Sequence, residues 1–113
     1  MPRIAACPNL VVTNGTAASN AVPAKANYSD AETLTIFAPS TLDAGTNTLE
    51  VEPTETGTSF VTLQSGGADI NIAAGKAVVL TEIAWKQIRV KCGNNQTADR
   101  TFQMVKQWAM KGS

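Results

Sequence analysis

Residues 87–108 read QIRVKCGNNQTADRTFQMVKQW, and they decide the fold. Ile88, Val90 and Cys92 alternate with Gln87, Arg89 and Lys91. Gly93-Asn94-Asn95 then breaks the run, and Phe102 and Met104 flank Gln103. Successive side chains of an extended chain point to opposite sides, so apolar residues at every second position give a strand one core face. A helix would need them three and four apart. The Gly-Asn-Asn cluster is turn chemistry. The reading is strand, turn, strand. It predicts that 86–92 pairs with 100–107, so that Arg89, Lys91 and Gln103 point away from the core together.

The same period extends toward the N-terminus. Leu34 and Ile36 alternate with Thr33 and Thr35; Leu49 and Val51 alternate with Thr48, Glu50 and Glu52. Val61 with Leu63, Ile70 with Ile72, and Val78 with Leu80 repeat the pattern. Pro39-Ser40, Asp43-Ala44-Gly45, Pro53, Gly57, Ser65-Gly66-Gly67 and Ala74-Gly75 separate the runs. Many short strands at such spacing indicate a sandwich or barrel. Segments 59–64, 69–72 and 77–81 are expected to form one sheet layer, and 81–86 a single helical turn. Gly66-Gly67 lacks the following Lys and helix of a phosphate loop, and reads as a hairpin turn. The expected architecture is an all-β antiparallel sandwich, jelly-roll or immunoglobulin-like, over residues 30–113.

Residues 1–29 differ. Only Arg3 and Lys25 are charged, whereas a solvated disordered tail is usually richer in charge. They are expected to form an extended arm, dispensable for folding, that lies along a neighbouring surface. Leu10, Val11 and Val12 would add a short strand, and Asn14-Gly15 a turn. The candidate interface residues are Ile4, Leu10, Val11, Val12 and Tyr28 in the arm, with Arg89, Lys91 and Trp108 beyond it. Ile4-Ala5-Ala6-Cys7 has the look of a lipoprotein box, but no apolar signal core precedes it. The sequons at Asn14, Asn27 and Asn95, with no secretory signal, read as chance matches. No apolar span approaches the roughly 20 residues of a membrane helix, so no membrane partner is expected.

Length and charge narrow the function. A chain of 113 residues suits one domain. Charged residues make up 16%, below the roughly 25% usual for globular domains. Formal net charge is zero. This argues against nucleic acid as a partner, which calls for a basic footprint, and leaves little self-repulsion to oppose association. The balance hides an asymmetry. Asp30, Glu32, Asp43, Glu50, Glu52 and Glu55 fall in one stretch; Lys86, Arg89, Lys91, Arg100, Lys106 and Lys111 fall in another. Either the two runs neighbour each other as solvated strand faces, or they mark opposite ends of a subunit that packs head to tail.

The chemistry-bearing residues are few. There is no histidine, the commonest general base. Cys7 and Cys92 match no zinc or redox spacing, and either a disulfide or two thiols would fit. Glu50 and Glu52 share a strand face, as a glycosidase pair or calcium ligands would, or as a solvated outer face would. Asp99 near Asn94 and Asn95 fits a calcium loop or a turn. Trp85 and Trp108 fit a sugar platform, or caps on the sandwich ends. No catalytic, cofactor-binding or metal-binding residues are assigned, and no cofactor is expected.

The runs AETLTIFAPS (31–40), SFVTLQSGGADINIAAGKAVVLT (59–81) and QIRVKCGNNQTADRTFQMVKQW (87–108) together resemble the small β-sandwich virion proteins of tailed bacteriophages. The resemblance is one of style over residues 30–108. It implies a non-enzymatic structural role as a capsid decoration or cement protein, or as a neck or tail accessory. It also implies homo-oligomers whose partners are other virion proteins, the major capsid protein or neck and tail subunits, with assembly in the host bacterial cytoplasm. The alternative from the residues themselves is a carbohydrate- or ligand-binding sandwich.

Overall fold

The computed structural model describes residues 2–23, 28, 30–81 and 83–109; Lys25, Asn27 and Lys111 lie outside them. The described chain is all strand and loop: β1 (Pro2–Val12), β2 (Val22–Pro23), β3 (Thr33–Phe37), β4 (Thr48–Glu52), β5 (Val61–Thr62), β6 (Gln64–Ser65), β7 (Ala68–Asp69), β8 (Ala77–Leu80), β9 (Gln87–Lys91) and β10 (Arg100–Ala109). One four-stranded sheet has the order β1-β10-β3-β8, and a second has β2-β9-β4-β5. β6 and β7 form a hairpin of their own. Every pairing is antiparallel.

Alternation builds the core as expected. Leu34, Ile36, Phe102 and Met104 of the first sheet and Leu49, Ile88 and Val90 of the second are buried in one cluster. The two sheets thus share one interior, in a β-sandwich-like arrangement. The β6–β7 turn is Gly66-Gly67 with φ of 63° and 83°. Two successive left-handed residues define the type I′ turn that matches strand twist, and glycine adopts them without a Cβ penalty.

The N-terminal segment is the main correction. Residues 2–12 are not a free arm but a full strand of the first sheet, paired from Pro2 opposite Ala109 to Val12 opposite Arg100. A bulge makes this possible. Cys7 faces Met104 and Leu10 faces Phe102, so β1 spends one more residue than β10 between them. The extra residue flips the parity. Cys7 before the bulge and Leu10 and Val12 after it all turn inward and are buried. Pro8, which has no N–H to donate, sits in the bulge of an edge strand, where a missing donor costs no ladder bond. Asn20 covers the edge beyond it, accepting from the Val11 N–H at 2.7 Å. Tyr28 is buried, its hydroxyl donating to the Val22 carbonyl at 3.1 Å. The boundary at residue 30 therefore divides nothing in the described structure.

Strand partnership is the second correction. The 86–92 and 100–107 segments do not pair: β9 lies between β2 and β4, while β10 lies between β1 and β3. Likewise 59–81 is not one layer; β5, the β6–β7 hairpin and β8 belong to three different sheets. The described residues of 81–86 are irregular rather than a helical turn. Period two gives each strand its faces but not its neighbour, and here every link but the β4–β5 and β6–β7 hairpins carries the chain to another sheet.

Two substitutions in β1 separate a core strand from a loose arm. Leu10→Ala is expected to cost about 2–5 kcal/mol in urea unfolding, the range for a buried Leu. Ile4→Ala, at a side chain 71% exposed, should stay within about 0.5 kcal/mol. Equal small effects would show that β1 is not part of the folded unit.

Candidate functional site

The charged residues are organised before any surface can be read. Asp30 meets Lys106, Asp43 meets Arg100 and Glu50 meets Arg89, each at 2.7 Å. Each pair joins a carboxylate of the acidic stretch to a cation of the basic one, so the two runs are neighbours within one molecule. Glu50 and Arg89 sit directly opposite across β4 and β9, and the Arg89 guanidinium lies 4.0 Å from the centre of the Phe60 ring. Glu50 is thus tied down rather than solvated.

Glu52 is also covered, by the loop that follows it. Its Oε2 accepts from Thr54 N at 2.8 Å and Thr54 Oγ1 at 2.6 Å. Gln87 Nε2 bridges the carbonyls of Thr54 and Gly57 at 2.9 Å each, closing the loop over the carboxylate. A Cβ at position 57 would lie 2.5 Å from Glu52 Oε1, so glycine there lets the loop close. The Thr54 hydroxyl, chiefly, holds the Glu52 carboxyl below its ordinary range. The pairing of Glu50 and the enclosure of Glu52 separate the two as a hydrolytic or calcium-binding pair.

The β3–β4 loop is pinned in the same way. The Arg100 guanidinium, first of all, holds the Asp43 carboxyl low, and the Thr97 backbone N–H adds to it. Asp99 accepts from the Asn14 N–H at 2.8 Å, and Asn94 donates to the Ala44 carbonyl. These contacts tie Asp99 and Asn94 to distant loops, at Asn14 and Ala44, rather than to a turn of their own. Cys7 and Cys92 are buried thiols, both pushed up in pKa by burial. Trp85 is buried, and Trp108 is half-buried between Lys106 Nζ at 4.4 Å and Arg3 Cζ at 5.9 Å. Neither presents an open platform.

The remaining candidate is the outer face of the first sheet. Ile4, Gln107 and Thr33 form one row across β1, β10 and β3. Ala6, Val105, Thr35 and Val79 form the next, reaching β8. Gln103, Phe37 and Ala77 form a third. None of these side chains is charged. Lys106 lies opposite Leu34 on the core-facing parity, and Arg3 and Arg100 share it; the acids paired with Arg100 and Lys106 draw those two toward the ends of the sandwich. Ile4, Val79 and Phe37 are 71%, 58% and 43% exposed, and with Val61 they are the exposed large apolar residues of the described chain.

The expected interface residues scatter against this surface. Ile4 and Val11 lie on the uncharged face. Leu10, Val12 and Tyr28 are corrected to the core, because each is fully buried. Arg89 and Lys91 lie on the outer face of the second sheet, opposite Gln103 rather than beside it. Trp108, half-buried, pairs with Arg3 and lies off that face, with Lys106 and Arg3 against its ring. Phe37 and Val79 were missed. Their signal is an aromatic on the threonine parity of β3, and an unbroken Val78-Val79-Leu80 run where alternation calls for a polar residue.

Among the described residues no group of three or more His, Cys, Asp or Glu is placed to hold a metal ion. No described helix is long and apolar enough to cross a membrane. Comparison with protein-family models, with curated proteins and with solved structures finds no match.

The two depressed carboxyls set a pH dependence. Their folded values lie below the ordinary 3.8 and 4.5, so the fold favours the ionised forms. The stability they contribute is present above those values and is lost as pH falls through the lower folded ones. The urea midpoint should hold steady from neutral pH to about 5 and drop below about 4. Asp43→Asn should lower it at neutral pH and flatten the acid drop; an unchanged acid slope would exclude Asp43 as a contributor.

Proposed function

We propose that this chain is a non-enzymatic structural subunit of a bacteriophage virion, a capsid decoration or cement protein. It binds neighbouring virion subunits through the outer face of its first sheet. The observation that carries this reading is the uncharged face itself, with Ile4, Phe37 and Val79 exposed on a chain that has 18 charged residues elsewhere, nine of each sign. A broad uncharged face that exposes several large apolar side chains is suited to contact with another protein. The two functions it serves least are phosphate binding, for want of a cation, and proton transfer, for want of a titratable group. Repeated switching of the chain between sheets fits the Greek-key group that includes jelly rolls and immunoglobulin-like domains.

The resemblance in the sequence supplies the virion setting. What the structure adds is a change of contact surface. The expectation of residues 1–29 as a draping arm gives way to a face on which only Ile4, Ala6 and Val11 come from that segment. A rigid sheet face binds without the ordering cost of a free arm, since its side chains are held by the sheet beneath.

The test is co-sedimentation of the purified chain with particles of the encoding phage. Val79→Lys is expected to weaken particle binding at least tenfold while leaving the thermal midpoint nearly unchanged, because the side chain is exposed. Absence of the chain from purified virions by mass spectrometry would overturn the virion reading.

A further inference from the structure

We infer that the uncharged face pairs with the same face of a second copy, giving a two-fold, sheet-on-sheet dimer. The inference rests on the reading of this face as a subunit contact and names its first occupant. Three observations point to self-pairing. The first is charge. A partner bearing charge would have to strip water from it against Val105, Thr35 and Val79, with no counter-charge to meet it. A second copy presents none. The opposite face of the sandwich is the charged one, with Glu50, Arg89 and Lys91 on its outer parity.

The second observation is the state of the edges. Strand addition is the other common route to β association, and the edges oppose it. Three of the four edge strands are short, β2 and β5 with two residues each and β8 with four. β1 is broken by the Pro8 bulge and covered by Asn20. With its edges blunted, the fold can associate through its face rather than its rim.

The third is size. Four strands spaced about 4.8 Å apart, two of them about ten residues long, span roughly 500 Å² of flat sheet, and the relief of the side chains adds accessible surface to that. Stable complexes bury roughly 600–1,000 Å² per partner. The face alone reaches the lower bound. Zero formal charge leaves nothing to hold two copies apart. In isologous pairing residue i meets residue j and j meets i, and only residues beside the two-fold axis, which we place near the middle of β10, meet their own mates. Gln103, exposed on β10 beside Phe37, is the probe of that geometry.

Sedimentation equilibrium of the full chain, from micromolar to millimolar concentration, tests this. The wild type is expected to dimerise. Gln103→Lys and Val79→Lys are each expected to raise the dimer dissociation constant at least tenfold, while Thr62→Lys, on the outer face of the second sheet, leaves it unchanged. An equimolar mixture of Gln103→Lys and Gln103→Glu should regain association that neither shows alone, which a merely misfolded variant would not do. A monomeric wild type across the range, or a dimer indifferent to both face substitutions, overturns the inference. Failure of self-pairing remains distinct from failure of the virion reading. A monomer whose particle binding is lost in Val79→Lys refutes only the dimer; a dimer that never binds particles refutes only the virion role.

Discussion

The first sheet depends on β10. It is the strand that both β1 and β3 pair with, and β8 is reached only through β3. Its alternation divides the residues that hold the molecule together from those that meet the outside. Phe102 and Met104 face inward and fill the core. Thr101, Gln103, Val105 and Gln107 face outward and carry no charge. The cations of this strand, Arg100 at its start and Lys106 three residues before Ala109, lie on the inward parity, where Asp43 and Asp30 meet them. A charge at an inward position is costly unless it is paired. Here pairing is possible because each position lies close enough to an end of the sandwich for the side chain to reach an acid in an adjoining loop.

The charge distribution of the sequence follows from this arrangement. Acidic and basic stretches far apart along the chain close onto one another as strands from the two halves interleave. Individual surface pairs contribute little stability, about 0–1 kcal/mol. Their larger effect is on what remains outside. With the ion pairs drawn to the ends and onto the second sheet, one broad surface is left neutral. That surface, rather than the pairs, is the feature a partner can use.

Much of the fold was legible in the residues. Ile88, Val90 and Cys92 do face inward opposite Arg89 and Lys91, and Leu34 and Ile36 are buried as their spacing requires. Turn positions such as Gly66-Gly67 are where the chain does turn. What period two could not supply was partnership. Ile88 and Phe102 look like the two arms of one hairpin, yet they stand in opposite sheets, because a sandwich shares one core between strands that never hydrogen-bond. The bulge at Pro8 hid the strand character of residues 2–12, since Cys7 and Leu10 are out of step until one residue is discounted. The candidate surface was only partly legible for the same reason: it is assembled from four strands whose adjacency is nonlocal, and Ile4 and Val11 were the two members that could be named without it.

The pairing of Pro2 with Ala109 sets an order of events in synthesis. The first described strand has its only described sheet partner in the last. Until β10 has been made, β1 cannot be seated and β3 has only β8 beside it, so the first sheet closes only once β10 is available. During that interval the apolar side chains of β1, Leu10 and Val12 among them, wait without their native cover, and the Pro8 bulge in the middle of that strand is what keeps it a poor template for wrong neighbours.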